Sequence, residues 1–171
     1  MIVQTQRLLL REFEPADAET FYDLNLDPEV MRYTGDVAFA SVEASRQFIH
    51  NYPAYRESGF GRWSVVLREQ GTCIGWCGLK RHPDGMVDLG YRLARAQWNC
   101  GYATEASRAC LDYGFTTLKL AEIVGRTAQA NHASIRVLEK IGMQFWKHAP
   151  CEGIIDSVFY RIRAAVYPAL R

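Results

Sequence analysis

Seven consecutive residues, Trp98-Asn99-Cys100-Gly101-Tyr102-Ala103-Thr104, sit where a run with strand character gives way to a long helical run. A loop that opens a helix offers free backbone N–H groups and the positive end of the helix dipole, and together these attract anions. Gly101 lets backbone approach a ligand closely, and Ala103 keeps the next contact small. Pyrophosphate is the guest such a site would take. The same residues also fit an ordinary strand-to-helix turn with a glycine for tight packing. No Gly-Lys-Ser/Thr follows, so the loop is not a P-loop, and the spaced glycines of a dinucleotide-binding turn are missing.

A second polar helix start lies about thirty residues further on, at Asn131-His132-Ala133-Ser134, and its helix runs to Ile141 with Gly142 as its terminator. Taken alone it is a capped amphipathic helix. The four histidines, His50, His82, His132 and His148, show no metal-ligand spacing, and no metal is expected. Cys73 and Cys77 are spaced for one face of a strand and could join His82 as ligands, but the reading preferred is buried core thiols.

The elements that must position these residues follow from pattern and punctuation. Residues 6–13 read as a strand. Pro15 opens a helix with Asp17 and Glu19 in its first turn, and Asp27-Pro28 breaks it. A short helix follows near residues 30–33. Ser41 starts another that runs to about Tyr52, before Pro53. Strands are expected at 62–67, 72–80 and 86–93, the last two joined by a Pro83-Asp84-Gly85 turn. Residues 102–118 form the strongest helix, 123–127 a strand, 131–141 a helix, and 143–148 and 157–163 two closing strands. The order is α+β around a mostly antiparallel sheet, with 86–127 a candidate parallel crossover.

The chain has 171 residues, of which 49% are apolar and 23% charged, so residues 1–171 are expected to form one domain with a real core. A net charge of +1 argues against a general nucleic-acid binder. No signal peptide and no stretch approaching the ~18 apolar residues of a membrane span is visible, and no membrane partner is expected. Five cysteines, an odd number in a chain of this length, argue against a disulfide framework, and the expectation is a cytoplasmic protein with reduced thiols, monomeric or a homodimer.

The two polar helix starts, taken together, resemble the acetyl-CoA binding core of GNAT acetyltransferases. The sub-pattern is similar to the group that acetylates ribosomal-protein N-termini: Gly90-Tyr91, then Trp98 to Ala106, then Asn131 to Met143. The opening Thr5-Gln6-Arg7-Leu8-Leu9-Leu10-Arg11, the Asp27 to Tyr33 stretch, Ile74-Gly75 to Leu79, and Asp156 to Tyr160 match the same group. The resemblance spans nearly the whole chain. Asn99 and Cys100 depart from it, since the group places glycine and a basic residue there. Leu138 departs too, standing where many GNAT enzymes carry a tyrosine general acid.

The resemblance implies a GNAT-like mixed sheet, mostly antiparallel, splayed at its centre and flanked by helices. It also implies direct transfer of acetyl from acetyl-CoA to an amine acceptor. Loop 98–104 would hold the pyrophosphate, so that a larger residue at Gly101 would crowd the ligand and leave the fold intact. Leu93 would offer a backbone N–H to the thioester carbonyl. Asn131 would contact the pantetheine arm or simply cap its helix. Ser134, one turn before Leu138 on the same face, would hydrogen-bond the departing thiolate. Asp88 would be the general base or else a solvated strand residue. Glu105 is expected to complement the helix dipole, and Asp156 and Tyr160 to line the acceptor cleft or to be a turn aspartate and a core tyrosine. The acceptor is expected to be a protein or peptide N-terminus. The alternatives are a small amine, or a CoA-binding module without catalysis.

Overall fold

The computed structural model describes residues 2–151 and 153–167. Eight strands form one sheet: β1 (Val3–Gln4), β2 (Leu8–Arg11), β3 (Arg62–Leu67), β4 (Cys73–Arg81), β5 (Val87–Leu93), β6 (Glu122–Ala128), β7 (Gln144–His148) and β8 (Ser157–Arg163). Six helices surround it: α1 (Ala18–Leu26), α2 (Pro28–Met31), α3 (Val42–His50), α4 (Ala54–Ser58), α5 (Tyr102–Thr116) and α6 (His132–Lys140). The spatial order is β1-β2-β3-β4-β5-β6-β8-β7, and every neighbouring pair is antiparallel except β5 and β6, which α5 joins as a parallel crossover. This is the mixed α+β architecture expected. None of the helices is long and apolar enough to cross a membrane among the described residues.

Two apolar layers cover the sheet. On one face Leu8, Trp63, Cys77, Leu79, Leu89, Cys110, Leu111 and Ile123 pack beneath α5. On the other, Ala18, Phe21, Leu24 and Ile49 from α1 and α3 close over Cys73 and Trp76. The long helix ends at Thr116, two residues earlier than its pattern indicated, and α4 is a further turn that the sequence reading did not include.

Two local expectations change. Pro15 opens helical structure, but its first turn, Pro15–Asp17, is a 3-10 turn that runs directly into α1 at Ala18, and the Asp17 carboxylate is drawn inward. It receives Arg11 Nη1 at 2.7 Å, Arg11 Nη2 at 2.8 Å and Ser64 Oγ at 2.6 Å, so it is a buried anchor and not an exposed dipole partner. Cys73 and Cys77 do not share a face. The β3–β4 register slips between Val65, opposite Gly75, and Val66, opposite Cys73. The extra residue sends Cys73 to the α1 side, while Cys77 lies on the α5 side, its Sγ 3.6 Å from that of Cys110.

Candidate functional site

The parallel pair at the centre of the sheet is short. Only Asp88 with Val124 and Leu89 with Gly125 are in register, and beyond them β5 and β6 diverge. The antiparallel pairing of β4 with β5 then decides where the free edge of β5 points. His82 N donates to Met86 O and Ala94 N to Ile74 O, so even-numbered residues of β5 bond towards β4. Alternation turns Tyr91 and Leu93 the other way, into the fork. The Leu93 N–H therefore faces the opening, where a carbonyl oxygen would find it. A cavity of about 560 Å³ fills the fork. On the α5–α6 side Leu93, Trp98, Gly101, Ala103, Asn131 and Ser134 line it. On the α1–α2 side Arg62, Trp76, Asp88, Arg92 and Arg126 do so. The cavity thus opens towards both faces of the sheet.

Loop 98–104 sits at the mouth on the helix side. Trp98, half exposed, is not a core residue: its Nε1 donates to Leu93 O at 2.9 Å and pins the loop to the end of β5. Asn99 (φ 62°) and Gly101 (φ 81°) both take the left-handed conformation on either side of exposed Cys100. Asparagine and glycine are the residues that accept this geometry, and such alternation turns successive amides into a concave anion-binding nest. The first turn of α5 adds the amides of Tyr102, Ala103 and Thr104 and the positive end of a 15-residue helix. Because Gly101 stands at φ 81°, a side chain there strains the backbone. The expectation that a larger residue would leave the fold intact does not hold.

A cation from a distant segment braces the loop from outside the cavity, its charge paired. Arg7, just before β2, donates Nη1 to Cys100 O at 2.9 Å, pairs through Nη2 with Glu105 at 2.6 Å, and lies 4.5 Å over the Tyr102 ring. Glu105 also accepts from Thr5 Oγ1 at 2.6 Å and from Arg7 N at 3.0 Å. Burial would raise the Glu105 pKa, but these donors outweigh it and hold it below the usual carboxylate range. Glu105 is therefore a clamp between the N-terminal strand segment and α5, beyond its dipole role.

On the opposite arm, Asn131 Oδ1 caps α6 by accepting from Ser134 N at 3.1 Å, so its carbonyl is committed to the cap while the residue still lines the cavity. The Ser134 hydroxyl meets the Tyr91 hydroxyl across the fork at 3.0 Å. Burial pushes the Tyr91 phenol up to about 12, a rise that the bond to Ser134 only moderates. Leu138 is buried against Gly125, where an added Cβ would lie 2.5 Å from Leu138 Cδ2. A bare glycine on β6 is what lets α6 approach this closely.

Asp88 is neither solvated nor suited to be a base. It is buried, with Arg62 Nη2 at 2.8 Å and His82 Nε2 at 3.0 Å from Oδ1, and Arg126 Nη2 at 3.2 Å from Oδ2. Burial alone would raise its pKa, but the Arg62 charge, the His82 hydrogen bond and the Arg126 charge outweigh it and hold it well below the carboxylate range. A carboxylate whose two oxygens are already engaged by cations accepts a proton poorly. Tyr160 is a core residue on β8, and neither it nor Asp156 lines the cavity, where Cys151, Ile154 and Ser157 appear instead. Sequence reasoning gave no role to Arg7, Tyr91 or Arg62. Only Arg7 and Tyr91 carried a signal, as members of quoted motifs.

Comparisons with known proteins agree with this geometry. The sequence model of the family described as acetyltransferase (GNAT) domain matches residues 7–144. A Bacillus licheniformis protein named uncharacterized N-acetyltransferase p20 is 34% identical over 143 residues, covering 82% of this chain and 80% of that protein. The crystal structure of a GNAT-family acetyltransferase from Bacillus anthracis superposes with a TM-score of 0.83 at 29% identity, over 96% of this chain and 99% of that one. A spermidine N-acetyltransferase from Vibrio cholerae, solved with CoA and spermine, shares the fold with a TM-score of 0.80 at 21% identity, over 96% of this chain and 99% of that one.

Proposed function

Because the chain belongs to the GNAT acetyltransferase family, we propose that it acetylates the α-amino group of a protein or peptide N-terminus, using acetyl-CoA held on loop 98–104 and in the fork between β5 and β6. The observation that carries the reading is the fork itself: two rungs of parallel pairing, then a cavity open to both faces with a helix N-terminus at one mouth. The residues present fit an acyl-CoA. Left-handed Asn99 and Gly101 and the first turn of α5 suit a pyrophosphate, and the edge of β5 from Gly90 to Leu93 suits an extended amide-bearing arm.

The thioester supplies an acetyl group already activated for attack. The chain's residues then have three tasks. The loop amides and the α5 dipole hold the phosphates, and Arg7 keeps the loop in shape. The Leu93 N–H, aimed into the fork, donates to the carbonyl oxygen as negative charge develops there. The Ser134 hydroxyl hydrogen-bonds the sulfur as the carbon–sulfur bond breaks. An α-amine with a pKa near ~8 is already partly neutral at pH 7, so no strong protein base is required to free its lone pair. That accords with the engaged state of Asp88.

A polyamine acceptor calls for carboxylates free to meet several cations. Among the described residues lining the cavity, the one buried carboxylate, Asp88, is already neutralised by Arg62 and Arg126, and the other two, Asp36 and Glu29, are exposed and pair with Arg92 and Arg32. This favours an acceptor with one amine on an otherwise uncharged or extended body. The test is thiol release from acetyl-CoA against a panel of free and N-terminally blocked peptides, polyamines and amino-acid-like amines. Turnover on free peptides and none on blocked ones supports the proposal. Turnover confined to polyamines overturns the acceptor assignment.

A further inference from the structure

The hydrogen bond between Tyr91 and Ser134 joins the two arms of the fork at the point where the sheet opens. Tyr91 belongs to β5 and Ser134 to the second residue pair of α6, and the contact spans 43 positions of sequence. Leu138 is buried against Gly125 and has no ionisable proton, so among the described residues of β5 and α6 that line the cavity, Tyr91 and Ser134 are the ones that bring hydroxyls to it, and they meet each other across the fork. A serine hydroxyl alone rotates about its Cβ–Oγ bond and can point its proton in several directions. Once Tyr91 donates into one of its lone pairs, the proton of Ser134 is turned away from the ring and is free to point into the cavity that both residues line. The Ser134 backbone is fixed at the same time, because its N–H is held by Asn131 Oδ1 at 3.1 Å.

We infer that Tyr91 is a positioning residue that aims the Ser134 proton at the cofactor sulfur, so that the pair stabilises the thiolate as it departs. The inference rests on the acetyl-CoA reading above and names a residue that acts through another. Tyr91 itself keeps its proton, in accord with a phenol that burial makes harder to ionise. No net transfer from it is needed: as the amine nitrogen bonds to the carbonyl carbon, the sulfur takes the electron pair of the breaking carbon–sulfur bond, the proton shed by the nitrogen goes to water, and a donated hydrogen bond from Ser134 lowers the energy of the charge on sulfur.

The pair makes a prediction that does not depend on the acceptor. In the complex with CoA itself, a hydrogen bond to sulfur favours the thiolate and lowers the apparent pKa of the bound thiol. The ultraviolet absorbance of the thiolate, followed against pH with CoA bound to the wild-type protein, to Tyr91→Phe and to Ser134→Ala, reads this directly. Tyr91→Phe keeps the ring and its packing and removes only the hydroxyl, so the melting temperature should stay near that of the wild type. The expected result is a bound-thiol pKa raised by about half a unit to one unit in Tyr91→Phe, the scale of one lost hydrogen bond. At least as large a rise is expected in Ser134→Ala, and no further rise in the double variant. With an acceptor in hand, Tyr91→Phe should lower kcat by roughly three- to tenfold with KM for acetyl-CoA unchanged. The same bound-thiol pKa in Tyr91→Phe as in wild type, or effects of the two substitutions that simply add, would overturn the inference while leaving the acetyltransferase reading intact. A wild-type protein that binds no CoA would overturn both.

Discussion

Replacing Asp88 by Asn separates a structural role from a chemical one. The substitution keeps the shape and removes the charge that Arg62, His82 and Arg126 surround. The side chains of Arg62 and Arg126 are only 13% and 11% exposed, so both cations lose a buried counter-charge. Breaking a buried ion pair from one side costs about 3–5 kcal/mol. Arg62 keeps its bonds to Gly78 O and Asp88 O, which places the expectation at the low end, about 3 kcal/mol. For a chain of this size that is a fall in melting temperature of roughly 6–12 °C. The pH dependence has a definite sign. The carboxyl pKa is lowered in the folded state, so its stabilisation is present above the unfolded value near ~4 and is lost as pH falls towards the folded one. The deficit of Asp88→Asn should therefore be greatest at neutral pH and shrink below about pH 4. Thermal melts across that range measure the stability, and kcat measured well below both melting temperatures measures the chemistry. A general base lost outright costs about 10²–10⁴-fold in rate, whereas a buried anchor should cost less than tenfold in the molecules that remain folded. A variant that melts like wild type but has lost a hundredfold or more in kcat would refute the structural assignment.

Three further outcomes follow from the same site. Gly101→Ala should cost about 1–2 kcal/mol of stability, because its φ of 81° is unfavourable for a residue with a Cβ, and should weaken CoA binding measured by calorimetry; full stability in the variant would contradict the loop geometry. Ser134→Ala should lower kcat by about ten- to a hundredfold with the CoA dissociation constant little changed, the pattern of an interaction made mainly as the thiolate leaves; wild-type turnover removes Ser134 from the mechanism. Glu105→Gln weakens a pair whose arginine is 43% exposed, so the melting temperature should move by no more than about 3 °C. The CoA dissociation constant should rise several-fold as Arg7 loosens from Cys100 O, and unchanged affinity would show that the loop holds its shape without the clamp.

Much of this protein is local, and what is local can be read along the chain. The Ser41 cap, the Gly142 stop, the Pro83 to Gly85 turn and the 3.6-residue stripe of α5 each depend on neighbours a few positions away, and each lies where the sequence puts it. Loop 98–104 is legible for the same reason: a helix that begins at Tyr102 exposes its amides whatever surrounds it. The fork was foreseeable only as an implication of resemblance, since nothing in residues 87–93 or 122–128 says that pairing stops after two rungs. Three features needed the folded chain. The cation that braces loop 98–104 comes from Arg7, more than ninety residues away, because β2 and α5 happen to be packed together. Asp88 looks like any strand carboxylate until Arg62, His82 and Arg126 converge on it from three separate segments, and their combined charge then sets its ionisation and its role. The Tyr91–Ser134 bond joins two arms of the sheet that have no sequence relation at all. Periodicity and capping act over three or four residues. Ion pairing and hydrogen bonding between elements depend on distances of about 3 Å that only tertiary packing creates.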